Sequence, residues 1–393
     1  MSDCIQIIIS IFFDMDSKKY NNTKLALSIF DTIAGFILIY LFVALSWSIK
    51  LEDYIRSYIS LDYLVFIIFI VVIGVAGSII FFPMNFYSGY ILEHKYKLSN
   101  QNLFQYFLEK AKGLLVSAVI GIPILLLFFW VLREYGTNWW LPFAVLMFFI
   151  SVVLSQIFPV FILPLFYKIK PIENESLKSR ISELADNAKL KVENVYSFDM
   201  SKNTKKANAA FTGLGKTKRI ILGDTLLDSY SENEIETVIA HEVGHYKHNH
   251  ITKNILIGTI SSFVTLFLIA KYYEVSLNWF GFESVSQISA LPLLTLWSIL
   301  IGLVTTPLGN ILSRKFEYEA DRYAIDATRK PVSFINTLEK LTEQNLGDKE
   351  PHPFVEWFFY SHPSINNRIS AIKKYSELMN ISEEPQLQTG VVN

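Results

Sequence analysis

The chain has 393 residues, of which 51% are hydrophobic, 15% aromatic and only 18% charged. Soluble domains carry about 25% charged residues, so this composition disfavours a soluble two-domain protein and excludes a disordered or collagen-like one. A formal net charge of −1 provides no basic field for nucleic acid, and the single cysteine, Cys4, can build neither an internal disulfide nor a thiolate metal cage.

The first apolar run, residues 4–13, is too short to span a bilayer. It has no basic residues before it and no small-residue cleavage site after it, so it reads as an interfacial or short packed helix rather than a signal peptide. Uncharged stretches follow at 32–49, 63–82, 113–132, 139–167, 254–270 and 284–313. Each is near or above the roughly 17–25 residues that a spanning helix needs, and six in one chain call for lipid rather than a buried core. The loops alternate in charge. Lys18, Lys19 and Lys24, then Lys95, Lys97, Lys110 and Lys112, then fourteen Lys and Arg in 168–253, then Arg314 and Lys315 lie on one side. Lys50 and Arg56, Arg133, and Lys271 lie on the other. This pattern predicts an integral membrane protein with both termini cytoplasmic. Trp139, Trp140, Tyr272, Tyr273 and Trp279 flank helix ends on the outer side and read as an interfacial aromatic belt.

Two regions have soluble character. In 168–253, residues 175–190 form an amphipathic helical pattern, 192–198 and 219–222 read as strands, and Gly213 and Gly215 mark a turn between 209–212 and the second strand. Residues 314–380 read as helical and 381–393 as a disordered tail. The expected organisation is a four-helix membrane region (1–167), a cytosolic segment with a small sheet (168–253), two further spans (254–313) and a cytosolic helical region (314–380). The fold class is mainly α, a polytopic α-helical membrane protein of about six spans with a cytosolic domain containing a small β-sheet.

The chemistry-bearing motif is His241-Glu242-Val243-Gly244-His245, an HExxH. On a helix, His241 and His245 lie one turn apart on one face and can reach one ion, while Glu242 points aside and can hold a water. Ser231, with Glu234 three residues on, is a capping box that starts this helix. Apolar Val238, Ile239, Ala240 and Val243 argue for a buried motif, where ionisable groups need a partner that a metal supplies. His248 and His250 read as solvent-side or supporting residues rather than ligands. A third donor must come from elsewhere. In the segment SRKFEYEAD after the sixth run, Glu317 and Asp321 share a helix face, so one can ligate while the other orients a histidine. Glu319, on another face, is an alternative, and a charged helix cap is the bland reading of all three.

With HEVGH followed two apolar runs later by SRKFEYEAD, the chain resembles the type I CAAX prenyl endopeptidases, integral-membrane zinc metalloproteases. The resemblance covers about residues 78–378 and includes YSGYILEHKYKLSNQ (87–101), KANAAFTGLGKTKRIILGDTLL (206–227) and FFYSHPSINNRISAI (358–372). It implies one zinc ion held by His241, His245 and Glu317, with Glu242 as the catalytic base and Asp321 supporting a ligand. It further implies that His362 and Arg368 lie near the scissile bond as catalytic residues, His362 with Arg368 stabilising the oxyanion, and that Asn208, Ala209 and Ala210 belong to an edge strand that pairs with substrate backbone. The implied partners are the lipid bilayer and a peptide or protein substrate, C-terminally prenylated in eukaryotic members; the membrane would be the inner membrane in a prokaryote and the endoplasmic reticulum in a eukaryote. Eukaryotic members usually have seven spans against the six counted here, and often an aromatic residue at the position of Ala210.

Other readings are weaker on the residues. A site-two protease needs an Asp within a later span, and 284–313 has no Asp or Glu. A heat-shock-type membrane quality-control zinc protease shares the motif and a later Glu ligand but is usually shorter, with fewer helices; it differs in substrate rather than chemistry and stays the alternative. A transporter would suit the prolines at 159, 164, 292 and 307, yet the spans lack the ionisable residues such paths use. An inactive metal scaffold would not require Glu242.

Overall fold

A computed structural model of the chain describes residues 2–190, 195–212 and 219–382. The turn expected at Gly213 and Gly215, and residues 383–393 of the expected tail, lie outside them. The N-terminal half is a series of long helices: α1 (Ser2–Ala44), α2 (Trp47–Arg56), α3 (Asp62–Phe86), short α4 (Leu92–Lys95), α5 (Leu103–Tyr135), α6 (Trp140–Ile157) and short α7 (Leu163–Phe166). Residues 4–13 are not a separate element. No Gly or Pro interrupts the first 34 residues, and the helix runs through them to Ala44. It stops short of the expected Ile49 because Ser46 takes a left-handed conformation, φ 57°. Pro159 sits in a widened turn, Phe158–Ile162, between α6 and α7.

Strand β1 (Ile169–Pro171), helix α8 (Glu175–Asn187), strands β2 (Val195–Phe198), β3 (Ala209–Thr212) and β4 (Arg219–Gly223), and short helix α9 (Asp224–Ser229) follow. The sheet order is β1-β2-β4-β3, with β2 and β4 parallel and both outer pairs antiparallel, so β3 is an edge strand. Beyond it come α10 (Glu232–Lys247), α11 (His250–Leu277), α12 (Pro292–Thr328), α13 (Pro331–Gln344), α14 (Pro353–Phe359) and α15 (Ile365–Leu378). The segment around Glu317 therefore does not follow the sixth spanning helix but continues it: no Gly or Pro occurs between Asn310 and Thr328.

The chain divides into two compact units. One comprises Lys19–Phe166 and Thr252–Leu308. Its core holds Phe66 and Phe69 of α3, Phe129 and Leu132 of α5, and Tyr273 of α11, with Phe66 and Phe129 stacked at 4.4 Å. Trp139 and Tyr273, expected in an interfacial belt, are 2% and 0% exposed and belong to this core; the Tyr273 hydroxyl donates to the Val285 carbonyl at 2.8 Å. Tyr272 and Trp279 do face outward. Among the described residues, six helices are long and apolar enough to cross a membrane. Large apolar side chains such as Leu114, Val119 and Ile79 lie mostly exposed on them, surface that water would not tolerate and lipid would.

The other unit draws on Met1–Lys18, Tyr167–Ile251 and Gly309–Asn393. Its core joins Leu177, Ile181 and Leu184 of α8, Ile220 and Leu222 of β4, Ile239 and Val243 of α10, and Phe334 and Leu338 of α13. This packing fixes α10 on both flanks and leaves one face for the histidines.

Candidate metal centre

Helix α10 begins as its capping box dictates. The Ser231 hydroxyl accepts from the Glu234 amide, and the Glu234 carboxylate accepts from the Ser231 amide at 2.7 Å. Thirteen residues on, Gly244 lets α12 approach closely: a Cβ built there would lie 3.0 Å from the Ala320 Cα and 3.1 Å from the Ala320 carbonyl oxygen and Tyr323 Cβ. That contact sets Glu317 and Asp321 opposite the two histidines. Gly244→Ala is expected to destabilise the protein by about 1–3 kcal/mol through overpacking and to reduce bound metal at equal protein, read by thermal unfolding and elemental analysis of the same sample.

His241 Nε2 lies 3.2 Å from His245 Nε2, and Glu317 places Oε2 3.5 Å from the first and Oε1 3.4 Å from the second. Two imidazole nitrogens at that separation need a proton or a cation between their lone pairs. An ion with tetrahedral ligands at 2.0–2.1 Å holds its donors about 3.3–3.4 Å apart, close to the separation of the two nitrogens and of each nitrogen from its nearer carboxylate oxygen. Glu317 Oε2 is buried without a well-directed hydrogen bond, although His362 Nδ1 is 3.0 Å away. The donor set of two nitrogens and one carboxylate therefore fits a divalent metal, and these three residues are the group of candidate ligands found among the described residues.

Behind the donors, His241 Nδ1 meets Asp321 Oδ1 at 2.9 Å. Asp321 in turn accepts a two-pronged bond from Arg368, at 2.9 Å from Nε and 2.5 Å from Nη2. Burial disfavours a charged His241 ring, but its bonds to Asp321 and Glu317 outweigh this and raise its pKa to about 9. Arg368 is likewise held charged: burial opposes the cation, and Asp321 more than compensates.

His362 enters from the loop after α14. Arg314 donates to the carbonyls of Glu356 and Tyr360 at 2.9 and 2.6 Å, and Asn310 to that of Phe358 at 2.7 Å, satisfying the end of α14 and tying it to α12. Glu356 accepts from the amide of Ser364 at the start of α15. The His362 ring is 66% exposed, unlike the donors beside it. Asn208 is exposed at the entry to β3, and its carbonyl accepts from the Gly223 amide at 2.9 Å. The backbone of neighbouring Ala207 is pinned at both polar atoms by the Asn345 amide side chain. Ala209 and Ala210 pair with Leu222 and Ile221 of β4, and β3 packs beside α10.

Sequence reasoning left His250 outside the ligand set without finding its place. The chain leaves α10 at His248, turns through left-handed Asn249 (φ 55°) and brings His250 back beneath His245, with 3.0 Å between their Nδ1 atoms. Asn249, a residue type that tolerates that conformation, was the available signal.

Residues 171–376 match the model of peptidase family M48, and residues 15–168 match that of the CAAX prenyl protease N-terminal region, described as five membrane helices. The chain is 30% identical over 373 residues to YhfN of Bacillus subtilis, described as an uncharacterized metalloprotease, covering 91% of this chain and 85% of that one. It is 32% identical over 319 residues to CAAX prenyl protease 1 of Saccharomyces cerevisiae, covering 77% and 70%. The crystal structure of Ste24p from S. mikatae superposes with a TM-score of 0.80 at 28% identity, covering 92% and 89%. The fold, the paired helices and these matches agree, and the chain belongs to peptidase family M48, as an integral-membrane metalloendopeptidase resembling the type I CAAX prenyl proteases.

Proposed function

We propose that the chain hydrolyses peptide bonds with one zinc ion held by His241, His245 and Glu317. The observation that carries this is the convergence of two imidazole Nε2 atoms 3.2 Å apart with a carboxylate that places one oxygen 3.4–3.5 Å from each. When bound, zinc supplies Lewis-acid polarisation of the scissile carbonyl and a more acidic water. Glu242, next to the first histidine but outside the donor set, takes a proton from the attacking water and returns it to the leaving amine. His362 is exposed enough to donate to the developing oxyanion. Arg368, engaged with Asp321, keeps that carboxylate ionised and directed at His241. The substrate lies extended along β3 near Asn208, Ala209 and Ala210, adding a strand to the sheet edge. In this reading residues 168–253 and 314–380 form a cytosolic catalytic part, both termini are cytoplasmic, and peptides with a prenylated C-terminus are among the substrates, a reading supported by the similarity to CAAX prenyl protease 1 of S. cerevisiae.

The test is cleavage of a panel of peptides, prenylated and unprenylated, by detergent-purified protein whose zinc content is measured. Near-stoichiometric zinc, with activity lost to a chelator and restored by Zn²⁺, supports the reading. Protein without zinc, or turnover indifferent to the chelator, overturns it. Equal turnover of both peptide types would remove the prenyl group from the proposal and leave the chemistry.

A further inference from the structure

The two candidate histidine ligands are backed differently. Behind His241 stands a carboxylate, Asp321. Behind His245 stands another imidazole: its Nδ1 is 3.0 Å from Nδ1 of His250, whose Nε2 is 3.0 Å from Glu319 Oε2. His250 is 1% exposed, and its ring stacks on Phe316 with centroids 4.1 Å apart and planes 10° from parallel. Glu319 lies two residues beyond Glu317 on α12, so its side chain leaves the helix on another face and reaches behind the site rather than into it.

The hydrogen positions follow from what each group can do. An ionised carboxylate only accepts, so the Nε2 of a neutral His250 carries the proton and donates to Glu319. His250 Nδ1 is then left with a lone pair and accepts from Nδ1–H of His245. His245 Nε2 is left unprotonated on the side facing His241 and Glu317. We propose that His250 and Glu319 are positioning residues that fix the tautomer and ring angle of His245, as Asp321 does for His241. The inference rests on the proposed role of His245 as a metal donor. The competing account is that His250 is merely an aromatic plug against Phe316.

Two substitutions separate these accounts. His250→Phe keeps the ring volume and the stack but has no acceptor. His250→Asn loses the stack but places an amide oxygen where Nδ1 stood. Full-length protein in detergent would be titrated with Zn²⁺ against a chromophoric chelator, with unfolding temperature, kcat and KM measured alongside. His250→Phe is expected to unfold near the wild-type temperature yet bind Zn²⁺ about 10–100-fold more weakly, with kcat reduced and KM little changed. His250→Asn is expected to recover most of the affinity despite poorer packing. A folded His250→Phe with wild-type Zn²⁺ affinity overturns the inference, as does His250→Asn binding no better than His250→Phe. Should His250→Phe not fold, Glu319→Ala at the far end of the chain of bonds serves: weakened Zn²⁺ binding supports the inference, and unchanged binding overturns it. Wild-type protein that binds no Zn²⁺ removes the metal reading and this inference together, whereas normal wild-type binding with indifferent variants removes this inference alone.

Discussion

Glu242→Gln is expected to keep its metal and its fold while peptide hydrolysis falls on the order of 10²–10⁴-fold, the range lost with a general base. The substitution is nearly isosteric but cannot take a proton. Glu242 follows His241 by one residue, about 100° further round α10, and does not belong to the three-donor group. Its removal should therefore leave zinc content and KM near wild type and act on kcat. One side effect is expected. The Glu242 carboxylate is among the charges that favour the Arg368 cation, so its neutralisation costs some stability, small beside the contribution of Asp321. Elemental analysis and steady-state kinetics on one preparation check the result. Loss of zinc in the variant would make Glu242 a metal-supporting residue and leave the reaction without its proposed base.

The parts of this site legible in the sequence are those set by local spacing. Charge-free runs revealed six candidate spans, and HExxH put two imidazoles on one helix face. Helix ends were harder to place, because a helix does not stop where hydrophobicity stops. Helix α12 continues past its apolar stretch through Glu317 and Asp321, and α1 begins long before its own. Spacing alone also left open which of Glu317 and Asp321 faces the histidines' Nε2 atoms. The structure aims Glu317 at both and sets Asp321 behind His241, a distinction made by how α12 crosses Gly244. His250 escaped because its position depends on the single reversal at Asn249, and Arg314 because its partners are carbonyls 42 to 46 residues away. Trp139 and Tyr273 misled for the opposite reason. Aromatic residues at helix ends suit a membrane interface, but these two are covered by neighbouring helices.

Arg368→Ala is expected to destabilise the protein by about 3–5 kcal/mol, the cost of breaking a buried ion pair from one side. The Asp321 carboxylate, 3% exposed, would keep His241 alone as a partner among the described residues, and its charge would be nearly uncompensated. Arg368→Lys should recover little of this, because an ammonium cannot reproduce the two parallel bonds of the guanidinium to Oδ1 and Oδ2. The double variant Arg368→Ala with Asp321→Asn separates the functions. Neutralising the orphaned carboxylate should return much of the lost stability, so the two changes are expected to be far from additive. Zinc affinity should stay low, since His241 Nδ1 no longer faces a carboxylate. Chemical denaturation and chelator competition on the two single variants and the double variant measure both quantities. If Arg368 instead acts on the substrate, the single variant keeps its stability and zinc and loses only kcat, and that result would return the arginine from the support of Asp321 to the reaction itself.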